Sequence, residues 1–243
     1  MRKIMKMAAA MAFVLVLAAC SPKPEIATSY VTDLGTVRID KEGSMKSDAE
    51  LNAPVTVDIF FDPACPACAA YGDETNSTLA KHLDKGNIEV VYHPIGFLNG
   101  QTVDDYSNRA GAYILAVAEY APEKTHEFVD KIVSLNFQPT NPAVDKTDDK
   151  LFVEVMKDIK LTDEEIEAVE ENKQHFVSRI VASTKDFTSK DSEWLQFAPQ
   201  GYVFTPFVLV NKTGERTQKA LAMEGGLVEV ANELNEAIEA LLE

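Results

Sequence analysis

The sequence predicts an α/β fold, a mixed central sheet flanked by helices, with an all-helical insertion. Residues 55–61 are rich in β-branched and aromatic side chains, and the residues that follow repeat apolar side chains at helical spacing. Two more strand-like runs occupy 88–95 and 204–211. The stretch between them, 101–201, is far longer than an ordinary loop and has helical periodicity, so it predicts a folded insertion.

Composition excludes several classes of protein. The 243 residues carry a formal net charge of −16, and 46% of them are hydrophobic. This hydrophobic content is enough for a buried core, so neither a disordered nor a fibrous chain is expected. Nucleic-acid binding needs clustered cations, and this acidic chain has no block of Lys and Arg. No nucleic-acid partner is therefore predicted.

The N-terminus has the pattern of an export signal. Three basic residues within 1–6 precede an uncharged apolar run, 7–19, which is too short to cross a bilayer as a helix. The run ends in Leu-Ala-Ala-Cys, which resembles the lipobox of bacterial lipoproteins, in which the cysteine thiol receives a diacylglycerol. This resemblance implies a signal peptide at 1–19, a lipid on Cys20, and a location at the cell membrane that faces the extracytoplasmic side. An ordinary secretory signal or a short anchor helix is the alternative.

Residues 20–50 are predicted to form a tether between the membrane and the folded body. The segment is polar, and two prolines, Pro22 and Pro24, lie near its start. One short strand is expected within it, at 36–40.

Three cysteines occur in the chain, and Cys20 is taken by the predicted lipid. The other two are three residues apart in the motif Cys65-Pro66-Ala67-Cys68. Because an exported protein meets an oxidising environment, these two thiols are expected to pair with each other or with a partner.

The surroundings of the motif predict a reactive thiol. The strand predicted at 55–61 leads into a turn, 62–64, and the motif then opens an amphipathic helix. The N-terminus of a helix stabilises a thiolate, so Cys65 is the predicted nucleophile. Cys68 lies one turn further along and is predicted to resolve the mixed disulfide formed at Cys65.

Two other functions are open to a cysteine pair. A structural zinc site needs four ligands, but the chain has no second pair of cysteines and its four histidines lack metal-ligand spacing, so no metal is predicted. A structural disulfide between residues three apart would close a loop too small to stabilise the fold much. The pattern favours redox chemistry carried by a Cys65–Cys68 disulfide, with no further cofactor.

A proline starts the last predicted strand. The run 204–211 reads Phe-Thr-Pro-Phe-Val-Leu-Val-Asn, and a proline cannot donate a hydrogen bond inside a sheet. Pro206 therefore predicts a strand start, a sheet edge or a cis peptide bond.

The motif at 62–68 is followed much later by Thr205-Pro206, a hydrophobic strand, a turn at 212–214 and a final helix. This order resembles the DsbA-like branch of the thioredoxin superfamily, from about Leu51 to the end of the chain. The resemblance implies a thioredoxin fold, with a thioredoxin-like domain made of 51–100 and 202–243 and a helical insertion at 101–201.

The resemblance also implies roles for individual residues. It implies that Pro206 is cis and packs against the catalytic cysteines. It implies that Thr205 offers backbone hydrogen bonds to an extended substrate segment, and Pro66 and Ala67 are expected to contact the same substrate. A helical insertion at this location favours the DsbA-like branch over a plain thioredoxin.

Helical periodicity divides the insertion into segments. Prolines separate the earlier segments, and Thr162 with Glu165 matches a capping box at the start of the last. The segments are predicted at 106–117, 128–135, 151–159 and 166–187.

Asp58 is a candidate for proton transfer. Alternation along the predicted strand places Thr56, Asp58 and Phe60 on one face, and a strand covered on both sides would bury this carboxyl group. Related oxidoreductases place a buried acid beneath the cysteines, where it accepts the proton of the resolving thiol, and Asp58 is the candidate for that role. The alternative is an Asp at the strand end that reaches solvent.

The resemblance therefore implies an extracytoplasmic, lipid-anchored thiol-disulfide oxidoreductase. Its expected partners are exported proteins with thiols or disulfides, together with a membrane redox partner. The residues leave the direction open between oxidase, isomerase and reductase. The alternative function is a non-catalytic lipoprotein of the same fold that binds an extended peptide, or a soft metal such as Cu(I), through its thiol pair.

Overall fold

The computed structural model describes residues 28–198, 200–215, 220–221 and 227–243. The predicted signal peptide, Cys20 and the first part of the predicted tether lie outside the described residues. The strands are β1 (Val37–Asp40), β2 (Gly43–Ser44), β3 (Val55–Phe61), β4 (Ile88–Pro94) and β5 (Phe207–Lys212). The α-helices are α1 (Pro66–Asp84), α2 (Tyr106–Tyr120), α3 (Thr125–Ile132), α4 (Lys150–Asp158), α5 (Asp163–Asn172), α6 (Val177–Thr188) and α7 (Leu227–Leu242).

The strands form one mixed sheet in the order β2-β1-β4-β3-β5. Strands β3 and β4 are parallel, and the other pairs are antiparallel. All seven residues of β3 are buried, because this strand lies inside the sheet and elements cover both of its faces. The predicted α/β class, with a mixed sheet flanked by helices, is confirmed.

The two faces of β3 have different surroundings. Val55, Val57, Ile59 and Phe61 belong to the main core, which also contains apolar residues of α1 and α7. Phe60 faces the other way and packs in a second cluster with residues from the end of α6 and from the short 3-10 helix Glu193–Phe197. The site described below depends on this division into an α1 face and an opposite face.

Strands β1 and β2 lie within 20–50, the segment for which the sequence predicts a tether. They pair with the sheet through β4, and the expected strand at 36–40 corresponds to β1. The residues just before β1 are also held against the helices, because the Arg179 guanidinium of α6 donates to the carbonyls of Val31 and Thr32. The described part of this segment is thus packed on the domain.

The insertion is helical, as predicted, and α2 lies at its centre. Eleven of the fifteen residues of α2 are buried, and it contacts α3, α5 and α6. The capping box of Thr162 and Glu165 is present at the start of α5. The last predicted segment, 166–187, is divided into α5 and α6 by a turn of 3-10 helix at Lys173–Phe176.

Candidate active site

The turn between β3 and α1 places the cysteines at the end of the sheet. The Asp62 carboxylate is fully buried and accepts hydrogen bonds from the backbone N–H groups of Ala64, at 2.7 Å, and Leu98, at 2.6 Å. Because these bonds come from within the turn and from the segment after β4, Asp62 fixes the turn to the neighbouring strand. Cys65 then takes the N-cap position of α1, and Pro66 occupies the first turn, where its missing N–H removes no helical hydrogen bond.

The structure brings four of the predicted site residues together. Cys65 and Cys68 are free thiols, and their exposed fractions are 7% and 2%. The Cys65 Sγ lies 3.6 Å from the carbonyl oxygen of Thr205. The peptide bond between Thr205 and Pro206 is cis, and the buried Pro206 lines a small cavity together with Cys68. Pro66, by contrast, is exposed beside the thiols, as is Ala67.

Hydrogen bonds stabilise the thiolate of Cys65. The largest effect is a hydrogen bond from the Cys68 thiol, and the Thr205 side chain and the backbone N–H groups of Cys68 and Ala67 contribute further hydrogen bonds. Together they outweigh the effect of burial and lower the pKa of Cys65 from 9.0 to about 6. At neutral pH, most of Cys65 is therefore in the nucleophilic form.

Cys68 has the opposite environment. Complete burial, followed by the hydrogen bond to Cys65 and the charge of the Cys65 thiolate, raises the pKa of Cys68 well above 9.0. The first thiol is thus ionised and retains a small exposed fraction, whereas the second is more deeply buried and keeps its proton. This difference suits Cys65 to attack the substrate first. Cys68 then attacks the mixed disulfide once it has formed.

Asp58 is not brought together with the cysteines. Its carboxylate is 2.9 Å from the Nε2 atom of His93, and both side chains are buried. The two residues line a large cavity of about 850 Å³ on the face of the sheet opposite α1. The β3 residue on the cysteine side is Ile59, which lines the cavity next to Cys68. Strand alternation separates adjacent positions in this way, because successive side chains point to opposite faces.

Gln138 is a site residue that the sequence did not reveal. Its Nε2 atom donates hydrogen bonds to the carbonyl oxygens of Pro63, at 2.5 Å, and Cys65, at 3.1 Å. Gln138 follows α3 in the insertion and is more than seventy positions from these partners. No local pattern marks it, because its role depends only on how the insertion folds back over the active-site turn.

Replacing Gln138 with alanine is expected to destabilise the protein by about 1 kcal/mol, because two backbone acceptors in the active-site turn lose a donor. Urea unfolding of the reduced protein measures this change. The matched control is Gln101→Ala, since Gln101 is exposed, and we expect it to change the free energy of unfolding by less than about 0.5 kcal/mol. Equal losses for the two variants would contradict a stabilising role for the Gln138 side chain.

Within 28–198, 200–215, 220–221 and 227–243, no three His, Cys, Asp or Glu side chains are grouped so that they could hold a metal ion. The helices of the described part of the chain are each too short or too polar to span a bilayer.

Several known proteins are similar to this chain. One is the serine/threonine-protein kinase PknE of Mycobacterium tuberculosis, which is 34% identical over 102 residues. The match covers 41% of this chain but only 18% of the kinase, so the chain spans less than a fifth of the length of that relative. The kinase name therefore describes that larger protein.

Solved structures are similar over most of the chain. They include a disulfide bond oxidoreductase (DsbG) from Mycobacterium tuberculosis, with a TM-score of 0.61 and 18% identity over 87% of this chain and 89% of that one. The MdbA protein of Corynebacterium diphtheriae gives a TM-score of 0.57 and 24% identity over 85% and 92%. BdbD of Bacillus subtilis gives 0.54 and 21% over 90% and 99%. At these identities the likeness shows the fold, and the predicted DsbA-like thioredoxin fold is confirmed.

A family model adds the decisive comparison. The model described as "Thioredoxin" matches residues 49–224, which is more than half of the chain. The matched range contains β3, the turn, both cysteines, the whole insertion and the cis proline before β5. With this match and the geometry of its site, the chain belongs to the thioredoxin family.

Proposed function

We propose that this protein is a thiol-disulfide oxidoreductase that exchanges disulfides with exported proteins. Cys65 is the nucleophile, and Cys68 resolves the mixed disulfide. When the Cys65–Cys68 pair starts as a disulfide, a substrate thiolate attacks Cys65 and the electrons of the broken bond go to Cys68. A second substrate thiolate then releases Cys65. When the pair starts reduced, the same steps run in reverse and a substrate disulfide is reduced.

One observation carries the proposal: two thiols lie together at the N-terminus of α1, and their pKa values are shifted in opposite directions. The pKa of Cys65 is lowered to about 6, and that of Cys68 is raised well above 9.0. Because a low-pKa thiolate both attacks and leaves readily, this arrangement suits repeated exchange better than a permanent structural disulfide. The sulfur pair carries the two electrons itself, so the proposal needs no further cofactor.

Backbone geometry near Cys65 supports an extended segment as the substrate. The Thr205 carbonyl lies 3.6 Å from the Cys65 Sγ, at the start of β5. Thr205 itself precedes β5 and lies outside its pairing with β3, so an incoming chain can pair with the backbone groups of Thr205 at this end of the sheet. In the proposal, Thr205 holds the substrate, while the exposed Pro66 and Ala67 contact it beside the thiols.

The location proposed for this activity follows from the N-terminal sequence. Residues 1–19 act as a lipoprotein signal, Cys20 carries the lipid, and the polar residues that follow lead to the folded domain at the extracytoplasmic side of the cell membrane. A redox partner in the membrane would restore the Cys65–Cys68 pair after each turnover. The thioredoxin-like part, 51–100 and 202–243, carries the thiols, and the insertion, 101–201, covers them.

The proposal is tested by trapping the intermediate. In a Cys68→Ser variant of the full chain, Cys65 still forms mixed disulfides, but no second thiol can resolve them. We therefore expect high-mass adducts with exported proteins that disappear on reduction, visible on non-reducing gels. A Cys65→Ser variant is the matched control and should form no adducts, because its remaining thiol is buried and protonated.

The opposite result would favour the alternative function. If Cys68→Ser formed no mixed disulfides and the wild-type protein exchanged no disulfides with thiol substrates, catalysis would be ruled out. A protein of this kind that still bound extended peptides or Cu(I) through its thiols would be a binding lipoprotein instead.

A further inference from the structure

The reaction requires a way for a proton to leave Cys68. A thiol attacks as its thiolate, and the pKa of this buried thiol is raised well above 9.0. Asp58 is on the other face of the sheet, and Ile59 takes the corresponding place on the cysteine face. Both oxygens of the nearby Asp62 carboxylate already accept backbone N–H groups. None of these three side chains supplies a free base next to Cys68.

A small cavity next to Cys68 offers a place for one water molecule. Its volume is about 20 Å³, and a water molecule needs on the order of 10–15 Å³. Tyr71 lines this cavity one helical turn after Cys68, and its buried hydroxyl has no hydrogen-bond partner among the described residues. Buried hydroxyl groups are rarely left unsatisfied, so a water molecule beside Tyr71 is the expected occupant.

The cavity is also connected to a histidine. Tyr92, in β4, pairs in register with Ile59 and lines the same cavity. Its hydroxyl is 2.7 Å from the Nδ1 atom of His126, in α3. His126 is only partly buried, so solvent reaches part of this residue. A hydroxyl that can pass a proton thus lies between the cavity of Cys68 and a base near the surface.

The surroundings of His126 favour its neutral form. Burial lowers the pKa of His126, although the carboxylates of Asp130 and Glu127, in α3, and Asp84, in α1, act in the opposite direction. Tyr92 is the remaining titratable group in contact with the ring, and burial keeps it protonated. A neutral imidazole with Nδ1 facing a phenol O–H accepts a hydrogen bond there and can accept the proton.

We propose that Tyr92 and His126 form a proton relay that serves Cys68 through one water molecule in the cavity. The inference rests on the proposed exchange activity. As the Cys68 sulfur attacks the sulfur of Cys65, the S–H proton passes to the water, a water proton passes to the Tyr92 Oη, and the phenol proton passes to His126 Nδ1. The Cys65–Cys68 bond forms, the bond from Cys65 to the substrate breaks, and the substrate leaves as a thiolate.

The relay works in both directions of exchange. When a substrate thiolate opens the Cys65–Cys68 disulfide, Cys68 leaves as a buried thiolate. The ring of His126 first takes a proton from solvent, and the protonated ring then passes its Nδ1 proton through Tyr92 and the water to Cys68, which restores the neutral imidazole. Tyr92 and His126 are therefore positioning residues for proton transfer that do not touch the substrate.

The test measures resolution of a mixed disulfide directly. The reduced full chain, in a Cys20→Ser background so that only two thiols react, is mixed with dithiobis(nitrobenzoate). The first nitrobenzoate thiolate is released when Cys65 reacts, and the second is released when Cys68 resolves the adduct. For Tyr92→Phe, we expect the second step to slow about a hundredfold at neutral pH, the low end of general-base effects.

The pH profile separates a relay from a structural role. With the relay, the rate of the second step is nearly constant above the pKa of His126, and it falls below that pKa because the protonated ring accepts no proton. In Tyr92→Phe, hydroxide must remove the Cys68 proton, so the rate rises about tenfold per pH unit and the deficit shrinks as pH increases. His126→Asn, which keeps a polar partner for Tyr92 but no base, should give the same profile.

The matched control is Tyr106→Phe, which also removes a buried hydroxyl without a partner, at a residue that does not line this cavity. It should leave both the rate and the pH profile unchanged. Wild-type kinetics in Tyr92→Phe and His126→Asn would overturn the relay while leaving the exchange activity intact. Failure of the proposed function would instead appear as no second release in the wild-type protein.

Discussion

The reduction potential of the Cys65–Cys68 pair is expected to change its pH dependence near pH 6. Reduction of the disulfide takes up two protons below the pKa of Cys65 and one proton above it, because Cys65 then remains a thiolate and Cys68 a thiol. For a two-electron couple the slope therefore falls from about 59 mV to about 30 mV per pH unit. Equilibration with glutathione at about pH 5 to about pH 9, read by alkylation and mass, measures both slopes.

The sign of this effect makes the pair more oxidising. The pKa of Cys65 is lowered from 9.0 to about 6 in the folded protein, so its thiolate stabilises the reduced form. This stabilisation is complete at pH values above about 9, and it is lost as the pH falls through about 6. At pH 7 the stabilisation is about 1.4 kcal/mol, or roughly 30 mV, relative to a pair with an ordinary thiol. A change of slope near pH 9 would show that Cys65 titrates as an ordinary thiol.

Local sequence patterns predicted the elements that carry the thiols. The strand at 55–61, the turn after it and the helix opened by Cys65 depend on residues that are close in sequence, and the structure has each of them. The cis peptide bond at Pro206 is one of the three alternatives that the residues leave open, beside a strand start and a sheet edge. The resemblance to the DsbA-like family favours the cis peptide bond.

A strand pattern alone does not predict on which side of the sheet, relative to the cysteines, Asp58 lies. Alternation assigns Asp58 and Ile59 to opposite faces, and this division is correct. It does not say which face α1 covers, and that choice is made by how α1 and α7 pack on the sheet. The cysteine face contains Ile59, so the residue one position further along lines the cavity next to Cys68.

Side chains from distant segments complete the site and could not be predicted from spacing. Gln138 reaches the active-site turn from the segment after α3, and His126 reaches Tyr92 from the start of α3. Each contact joins residues that are more than thirty positions apart. Because only the packing of the insertion against the sheet creates these pairs, a single sequence marks Gln138 and His126 as ordinary polar residues of a helical segment.

Asp58→Ala is expected to destabilise the protein by about 3 kcal/mol while leaving disulfide exchange nearly unchanged. Removing the carboxylate leaves the His93 Nε2 atom buried without its partner at 2.9 Å, and a buried polar group left unsatisfied costs about 1–3 kcal/mol. The upper end applies because both side chains are buried, while the other ring nitrogen keeps its contact with the Thr36 hydroxyl.

Urea unfolding measures the loss, and release of nitrobenzoate thiolate measures exchange, which should change less than about twofold because Asp58 and Cys68 face opposite sides of β3. Asp58→Asn is the matched control: its amide oxygen still accepts from the imidazole, so we expect a smaller loss, about 1 kcal/mol. A contradicting result would be exchange that slows tenfold or more in Asp58→Ala while the free energy of unfolding hardly changes. The proton of Cys68 would then have to pass to Asp58 across the sheet, and the assignment of Asp58 to the opposite face by strand alternation would be wrong.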